Sequence, residues 1–173
     1  MSLPAAPAPL GLAVLTVSDS RSLENDTSGA YLAAAATEAG HRVLARELCV
    51  DDRYRIRAIV SNWIADPGIA VILVTGGTGF TGRDSTPEAI LPLLDKTMPG
   101  FGELFRVLSF EEIGTSALQS RAFAGLANGT FVFGLPGSTS ACRTAWERLI
   151  RAQLDATTRP CNLAALAPRL HER

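Results

Sequence analysis

Residues 10–18, LGLAVLTVS, run apolar without a break until small polar residues take over, the pattern of a strand buried on both faces of a parallel sheet. DTSGAYLAAAATEAG follows with the marks of a helix: Asp26 or Thr27 as N-cap, and Gly40 just past its end. HRVLARELCV alternates apolar and polar positions, as a strand nearer a sheet edge does. DRYRIRAIVSNWIADPG places Ile56, Ile59, Val60, Trp63 and Ile64 on one helical face and stops at Pro67-Gly68. IAVILVT (69–75) and TFVFGLP (130–136) are further buried-strand runs. Between them, PEAILPLLDKT reads as a short helix, and GFGELFRVLSFEEIGTSALQSRAFAGLA as two or three helical pieces broken near Ser109 and Gly114. GSTSACRTAWERLIRAQLDATT reads as a long final helix.

Strand and helix alternate along the chain, which predicts an α/β fold with helices on both faces of a largely parallel central sheet. The proline-spaced residues 1–10 read as an N-terminal arm and residues 11–173 as a single domain, since domains cluster near ~100–150 residues. Ligands of such sheets sit beyond the carboxyl ends of the strands. Three polar, Gly-containing loops arise there, TVSDSRSLENDTSG, TGGTGFTGRDST and LPGSTS, and they are expected to converge on one crevice.

Composition narrows the function. A net charge of -1 with no run of Lys or Arg excludes a sequence-independent nucleic-acid binder, which needs a concentrated basic face. No apolar run approaches the ~20 residues that cross a bilayer, and LPAAPAPL lacks the basic start of a signal peptide, so no membrane partner and a cytoplasmic location are expected. Cys49, Cys142 and Cys161 are widely spaced, with only His41 and His171 to join them, so they read as reduced thiols, buried or packed on helices, and not as a zinc site.

The loop after the third strand carries the candidate chemistry. Gly77-Thr78-Gly79-Phe80-Thr81-Gly82 fits the GxGxxG spacing of a dinucleotide-binding turn, but in such a turn the helix begins within the glycines. Here Pro87 suits a first helical turn and Ser85-Thr86-Pro87-Glu88 fits a capping box, so the helix starts at Ser85 or Thr86 and the glycines stand free. The acidic partner expected ~20 residues on is also missing, and a Walker A loop needs a Lys that is absent. What remains is a run of small residues whose amides can gather around an anion, flanked by the Thr75, Thr78 and Thr81 hydroxyls. Asp84 would repel a bare phosphate, and makes sense beside one if Mg²⁺ bridges them; the plainer alternative on local pattern is a helix-capping carboxylate. Asp51-Asp52, after the second strand, forms a second acidic pair that could cap the next helix. Pro136-Gly137-Ser138 repeats the small-residue logic, with Ser138 or Thr139 as N-cap.

Taken together, TGGTGFTGRDSTPEAI, PGFGELFR, SFEEIGTSALQSR, LPGSTSACRTAWERLI and QLDATTRPCN resemble the MoaB branch of the MoaB/Mog family of molybdenum-cofactor biosynthesis proteins, from about Leu12 to Asn162. The resemblance implies a three-layer αβα fold, a homo-oligomer (trimer or hexamer), and a molybdopterin-binding crevice. In the Mog branch the pterin's terminal phosphate attacks the α-phosphate of Mg-ATP, giving adenylylated molybdopterin and pyrophosphate. Carried over, Asp84 and Asp52 would be catalytic and hold Mg²⁺ through ATP. Thr75, Gly76, Gly77, Thr78, Gly79, Ser85, Thr86, Pro136, Gly137 and Ser138 would bind pterin or phosphate, with Ser109, Ser116 and Arg121 as further candidates. The loop Gly137-Ser138-Thr139-Ser140 has the MoaB-branch form, whereas the Mog branch carries a Pro-Gly-Gln-Pro type there. The alternative to an adenylyltransferase is therefore a non-catalytic protein that binds molybdopterin or its precursor, or assembles with other proteins of the pathway. The Phe101, Phe105, Phe110 and Phe123 stretch would pack between subunits or, in the simpler reading, within the core.

Overall fold

A computed structural model describes residues 8–170. Residues 1–7 of the proline arm, and His171, lie outside the described residues. Six strands form one sheet in the order β2-β1-β3-β6-β5-β4: β1 (Gly11–Val17), β2 (Arg42–Cys49), β3 (Val71–Thr75), β4 (Lys96–Thr97), β5 (Phe123–Ala127) and β6 (Thr130–Leu135). The four strands from β2 to β6 are parallel, and β5 and β4 complete the far edge antiparallel. Alternating β2 lies on the opposite edge, as its pattern predicts, while every residue of β1, β3 and β6 is buried.

Helices cover both faces, giving three layers. On one side α1 (Thr27–Glu38), α4 (Pro99–Ile113) and the helical run from α5 (Thr139–Ala145) through a π turn (Trp146–Ile150) to α6 (Arg151–Leu154) pack on Leu12, Val14, Leu73, Phe131 and Phe133. On the other, α2 (Arg53–Ala65) and α3 (Thr86–Ile90) set Ile56, Val60, Trp63 and Ile90 against Ala13, Leu15, Ile72, Val74 and Val132. Alternate strand residues feed opposite layers, as the two-residue period of a strand requires. A short helix, α7 (Leu163–Leu166), follows near the C-terminal end.

The stretch 94–127 differs from the sequence reading. Lys96–Thr97 and Phe123–Ala127 are strands, and α4 runs through Ser109 without a break, ending at Gly114, whose φ is 61°. The missed signal is Asn128-Gly129. Both residues have positive φ, 47° and 79°, the two-residue turn that joins β5 to β6 as a hairpin. Ser109 lies within this helix on its buried face. The four phenylalanines divide: Phe101, Phe105 and Phe123 are core, while Phe110 is 58% exposed. The thiols divide as well, Cys142 being buried, Cys49 half-buried and Cys161 exposed. Burial pushes the pKa of Cys142 up to about 11, so that thiol stays protonated at neutral pH.

Asp26 fastens the first crossover. It caps α1 by accepting from the Gly29 amide at 2.9 Å, takes the Thr16 hydroxyl at 2.7 Å, and meets Arg46 of β2 at 3.0 Å. One buried carboxylate thus joins β1, α1 and β2. Burial alone would raise its pKa, but the Gly29 amide, Thr16 and Arg46 outweigh this and hold it below its ordinary 3.8. The folded state therefore binds the proton more weakly than the unfolded chain. This contribution to stability is fully present above the ordinary carboxylate pKa and disappears as pH falls through the lowered folded value. Asp26→Asn is expected to cost about 2–4 kcal/mol in urea unfolding near neutral pH. The gap from wild type should hold down to about pH 5 and close at more acid pH; a gap independent of pH would contradict the role given to the charge.

Candidate functional site

The crevice is created by strand register. Thr16 of β1 lies level with Thr75 of β3, and Thr75 with Leu135 of β6, so three parallel strands release their loops at one height. Chain order reverses between β1 and β3, which places the opening at the topological switch point of the sheet. The resulting crevice, about 600 Å³, is lined by Thr16–Ser18, Ser20 and Arg21 from the first loop, by Thr75–Gly79 and Asp84 from the second, and by Pro136–Ser138 from the third. Phe105, Ser109 and Ile113 of α4, with Ser116, Gln119 and Ser120 beyond it, form the remaining wall. The three loops converge as expected; the wall from α4 and the Gly114–Gln119 3-10 turn adds to them.

The glycines are needed for close approach. Gly76 and Gly77 have φ of 101° and 65°. A Cβ on Gly76 would collide with the Val17 carbonyl, and one on Gly77 with the Thr86 hydroxyl and the Asp51 carboxylate. Gly76 donates its amide to Leu135 O at 3.0 Å, and Thr86 donates its amide to Gly77 O at 2.9 Å and its hydroxyl to Gly76 O at 2.8 Å. Buried Thr75 donates its hydroxyl to Pro136 O at 2.9 Å. Thr75 and Thr86, expected at the ligand, are thus structural ties whose hydroxyls the protein already uses. The Gly77 and Thr78 amides have no acceptor among the described residues, and both residues line the crevice. Two adjoining free amides in a positive-φ loop make a small anion nest.

Arg121 holds this loop from behind. Its Nε donates to Gly79 O at 2.8 Å and Thr78 O at 3.3 Å, its Nη2 to Asp84 O at 3.0 Å, and its Nη1 to Glu88. The guanidinium also sits 5.3 Å from the centre of the Phe80 ring. It acts as a brace, and Glu88 is spent on it. The expected capping box does not form for that reason, and because Ser85 gives both its amide and its hydroxyl to Asp51.

Asp84 alone supplies negative charge among the lining residues. Its Oδ2 accepts from the Thr81 amide at 2.8 Å and hydroxyl at 2.7 Å. Burial would raise its pKa, but Thr81, the Gly79 amide and the Arg121 charge together keep it below 3.8, so it is ionised at neutral pH. Asp52 is placed elsewhere: exposed, it caps α2 by accepting from Tyr54 and Arg55 amides at 3.0 and 2.9 Å. The neighbour that reaches the glycine loop is Asp51, buried and bonded to Ser85, with its own amide on Asp19 at 3.0 Å. Burial pushes the Asp51 pKa up, and the Asp84 and Asp19 charges add to this against the Ser85 hydrogen bonds. One position in the strand pattern separates the two aspartates, and the end of β2 turns the first inward. Arg83, bidentate to Asp19 at 2.7 and 2.9 Å, closes the same link at the surface.

Ser138 caps α5 by accepting from the Ala141 amide at 3.2 Å, and a Cβ on Gly137 would press on the Gly76 backbone at 3.3 Å. Sequence reasoning missed Arg21, the one cation among the lining residues. Its signal was available, since it is the only basic residue in the first polar loop.

A family profile described as "Probable molybdopterin binding domain" matches residues 13–156. The chain belongs to this family. It is 60% identical over 154 residues to molybdenum cofactor biosynthesis protein B of Escherichia coli K12, covering 89% of this chain and 91% of that protein. A crystal structure of a molybdenum cofactor biosynthesis protein B superposes with a TM-score of 0.87 at 40% identity over 97% of this chain and 99% of the other. The tungsten cofactor synthesizing protein MoaB from Pyrococcus furiosus superposes at 0.74 and 36% identity, covering 83% and 92%. The three-layer fold with a mostly parallel sheet is the fold of these MoaB structures.

Arg121→Ala is expected to free the glycine loop while leaving the sheet intact. Amide exchange over residues 77–85 should rise by about tenfold or more, with a stability loss of about 1–3 kcal/mol. Unchanged exchange would mean that the loop stands without its brace.

Proposed function

We propose that this protein acts in molybdenum cofactor biosynthesis, binding molybdopterin in the crevice and transferring an adenylyl group to it from ATP. The observation that carries this reading is the pairing, within one crevice, of a free-amide nest at Gly77-Thr78 with an ionised carboxylate at Asp84. Amides without acceptors suit phosphate oxygens, and a carboxylate beside them suits a cation that accompanies phosphate. The names of the relatives support the pathway and the pterin.

In the transfer, a terminal phosphate oxygen of the pterin forms a bond to the α-phosphorus of ATP. The bond from that phosphorus to the bridging oxygen breaks, and pyrophosphate leaves with the electron pair. Little covalent help is needed from the protein, which contributes position and charge. The Gly77 and Thr78 amides hold a phosphate; Phe105, Ser109 and Ile113 offer an apolar and hydroxyl wall to the pterin. No group of three or more His, Cys, Asp or Glu side chains among the described residues is placed to hold a metal. Asp84 would be the protein ligand of a Mg²⁺ that enters with ATP, and Asp51, rather than Asp52, would add negative charge from its place against Ser85 behind the glycine loop. When bound, the ion would neutralise phosphate charge.

Incubating the protein with molybdopterin, ATP and Mg²⁺ and following adenylylated molybdopterin by chromatography tests the reading. Asp84→Asn should lower turnover by at least ~100-fold, as loss of an electrostatic contact in the transition state does. Its melting temperature should change little, because the amide oxygen can still accept from Thr81. Pterin bound without any product in the wild type would favour the non-catalytic alternative.

We also propose self-association, as a trimer or hexamer, through the outer face of α4. Leu104, Val107, Phe110 and Ile113 are each more than half exposed there, with Leu118 next to them, and Ile113 carries this face to the lip of the crevice. An apolar stripe of this kind suits an oligomer interface. Light scattering should find an oligomer for the wild type and a folded monomer for Val107→Glu/Phe110→Glu; an unchanged mass would move the interface elsewhere.

A further inference from the structure

We propose that Arg21 is the phosphate-recognition residue of the crevice, and that it fixes which way the substrate lies between the first and second loops. The inference rests on the functional reading above and adds to it a residue and a direction. Arg21 is the single cation among the lining residues and Asp84 the single anion, and they stand on loops from neighbouring strands, β1 and β3. A ligand spanning the crevice therefore meets positive charge from the first loop and, from the second, a carboxylate next to the Gly77-Thr78 nest.

Three observations make Arg21 available for a ligand. The Ser18 hydroxyl accepts from the Ser20 amide at 3.3 Å and the Arg21 amide at 3.1 Å, a tight turn just past the end of β1. The guanidinium is oriented through Nη1, which donates to Ser28 at 2.8 Å, whereas its Nε and Nη2 have no acceptor among the described residues. Charge is also in surplus. Asp26 is flanked by two guanidiniums, Arg46 at 3.0 Å and Arg21 at 3.8 Å, and the nearer one suffices to pair it. One positive unit is left facing the crevice. Arg121 and Arg83 cannot play this part, since the first is consumed by the glycine loop and the second by Asp19. Guanidinium N–H groups with no protein acceptor, held at fixed orientation, suit a phosphate, which they can grip in a bidentate fashion.

The phosphate can come from the pterin or from the nucleotide, and binding assays separate the two. Dissociation constants of wild type, Arg21→Ala and Arg21→Lys would be measured anaerobically for molybdopterin, for its dephosphorylated form, and for ATP and adenosine. Removing the guanidinium should weaken one phosphate-bearing ligand by about tenfold to a hundredfold and leave its phosphate-free counterpart within about twofold, with lysine restoring part of the loss. Loss confined to molybdopterin identifies the pterin phosphate; loss confined to ATP identifies the nucleotide. Equal weakening of each ligand and its phosphate-free counterpart, or no weakening, overturns the inference while the functional reading stands. A wild type that binds neither pterin overturns that reading and this inference with it.

Discussion

The working edge of the protein depends on one steric condition: the backbone of Gly76 runs so close to the Val17 carbonyl that no side chain fits there. That approach lets Gly76 donate to Leu135 and lets Thr86 return two hydrogen bonds to the Gly76 and Gly77 carbonyls. Three loops are thereby fused into one surface at the level where β1, β3 and β6 end. Positive φ at two successive residues has a further effect. It frees the Gly77 and Thr78 amides from the acceptors that a strand or helix would give them. The tight packing and the anion nest are consequences of the same backbone path.

Charge is organised around this frame by spending most of it inside the protein. Arg121 gives its hydrogen bonds to the back of the glycine loop and to Glu88; Arg83 is used by Asp19, and Asp51 by Ser85. Asp26 is buried but costs little, because a capped helix, a hydroxyl and a guanidinium all stabilise its anionic form. Pairing removes these groups from competition for a ligand. The crevice then presents an anion and a cation on separate loops, the cation oriented by buried Ser28 and the anion by Thr81.

The fold was legible where side-chain period and turn chemistry agreed. Unbroken apolar runs gave β1, β3 and β6, alternation gave the edge strand β2, and Asp26 with Gly40 bounded α1 within a residue. The antiparallel edge was not, because Phe123–Ala127 is short and rich in Ala and Gly, and the two-residue β4 has no periodicity to read. Its local marker, Asn128-Gly129, carries the hairpin in its backbone angles. Among site residues, the glycines and Asp84 could be placed from sequence because loop and helix start are local features. The division between Asp51 and Asp52 depends on which way β2 ends, and the partners of Thr75, Thr86 and Arg121 depend on tertiary contacts. No local pattern reports either.

The groups that the fold leaves without protein partners define what a ligand can meet. Hydroxyls of Thr75 and Thr86 hold the loops together and that of Ser138 caps α5, so the hydroxyl-rich appearance of the sequence overstates the polar contacts on offer. The Gly77 and Thr78 amides and the unpaired N–H groups of Arg21 suit an anion whether or not a reaction follows. Asp84 is different, because an ionised carboxylate next to an anion nest weakens phosphate binding unless a cation comes with the phosphate. A protein that had only to hold a phosphorylated pterin would bind it more tightly with a neutral residue at that position. The hydrogen bonds from Thr81 and the charge of Arg121 instead offset burial and hold the Asp84 pKa below its ordinary value, at a cost to simple binding that the proposed nucleotide and its metal would relieve.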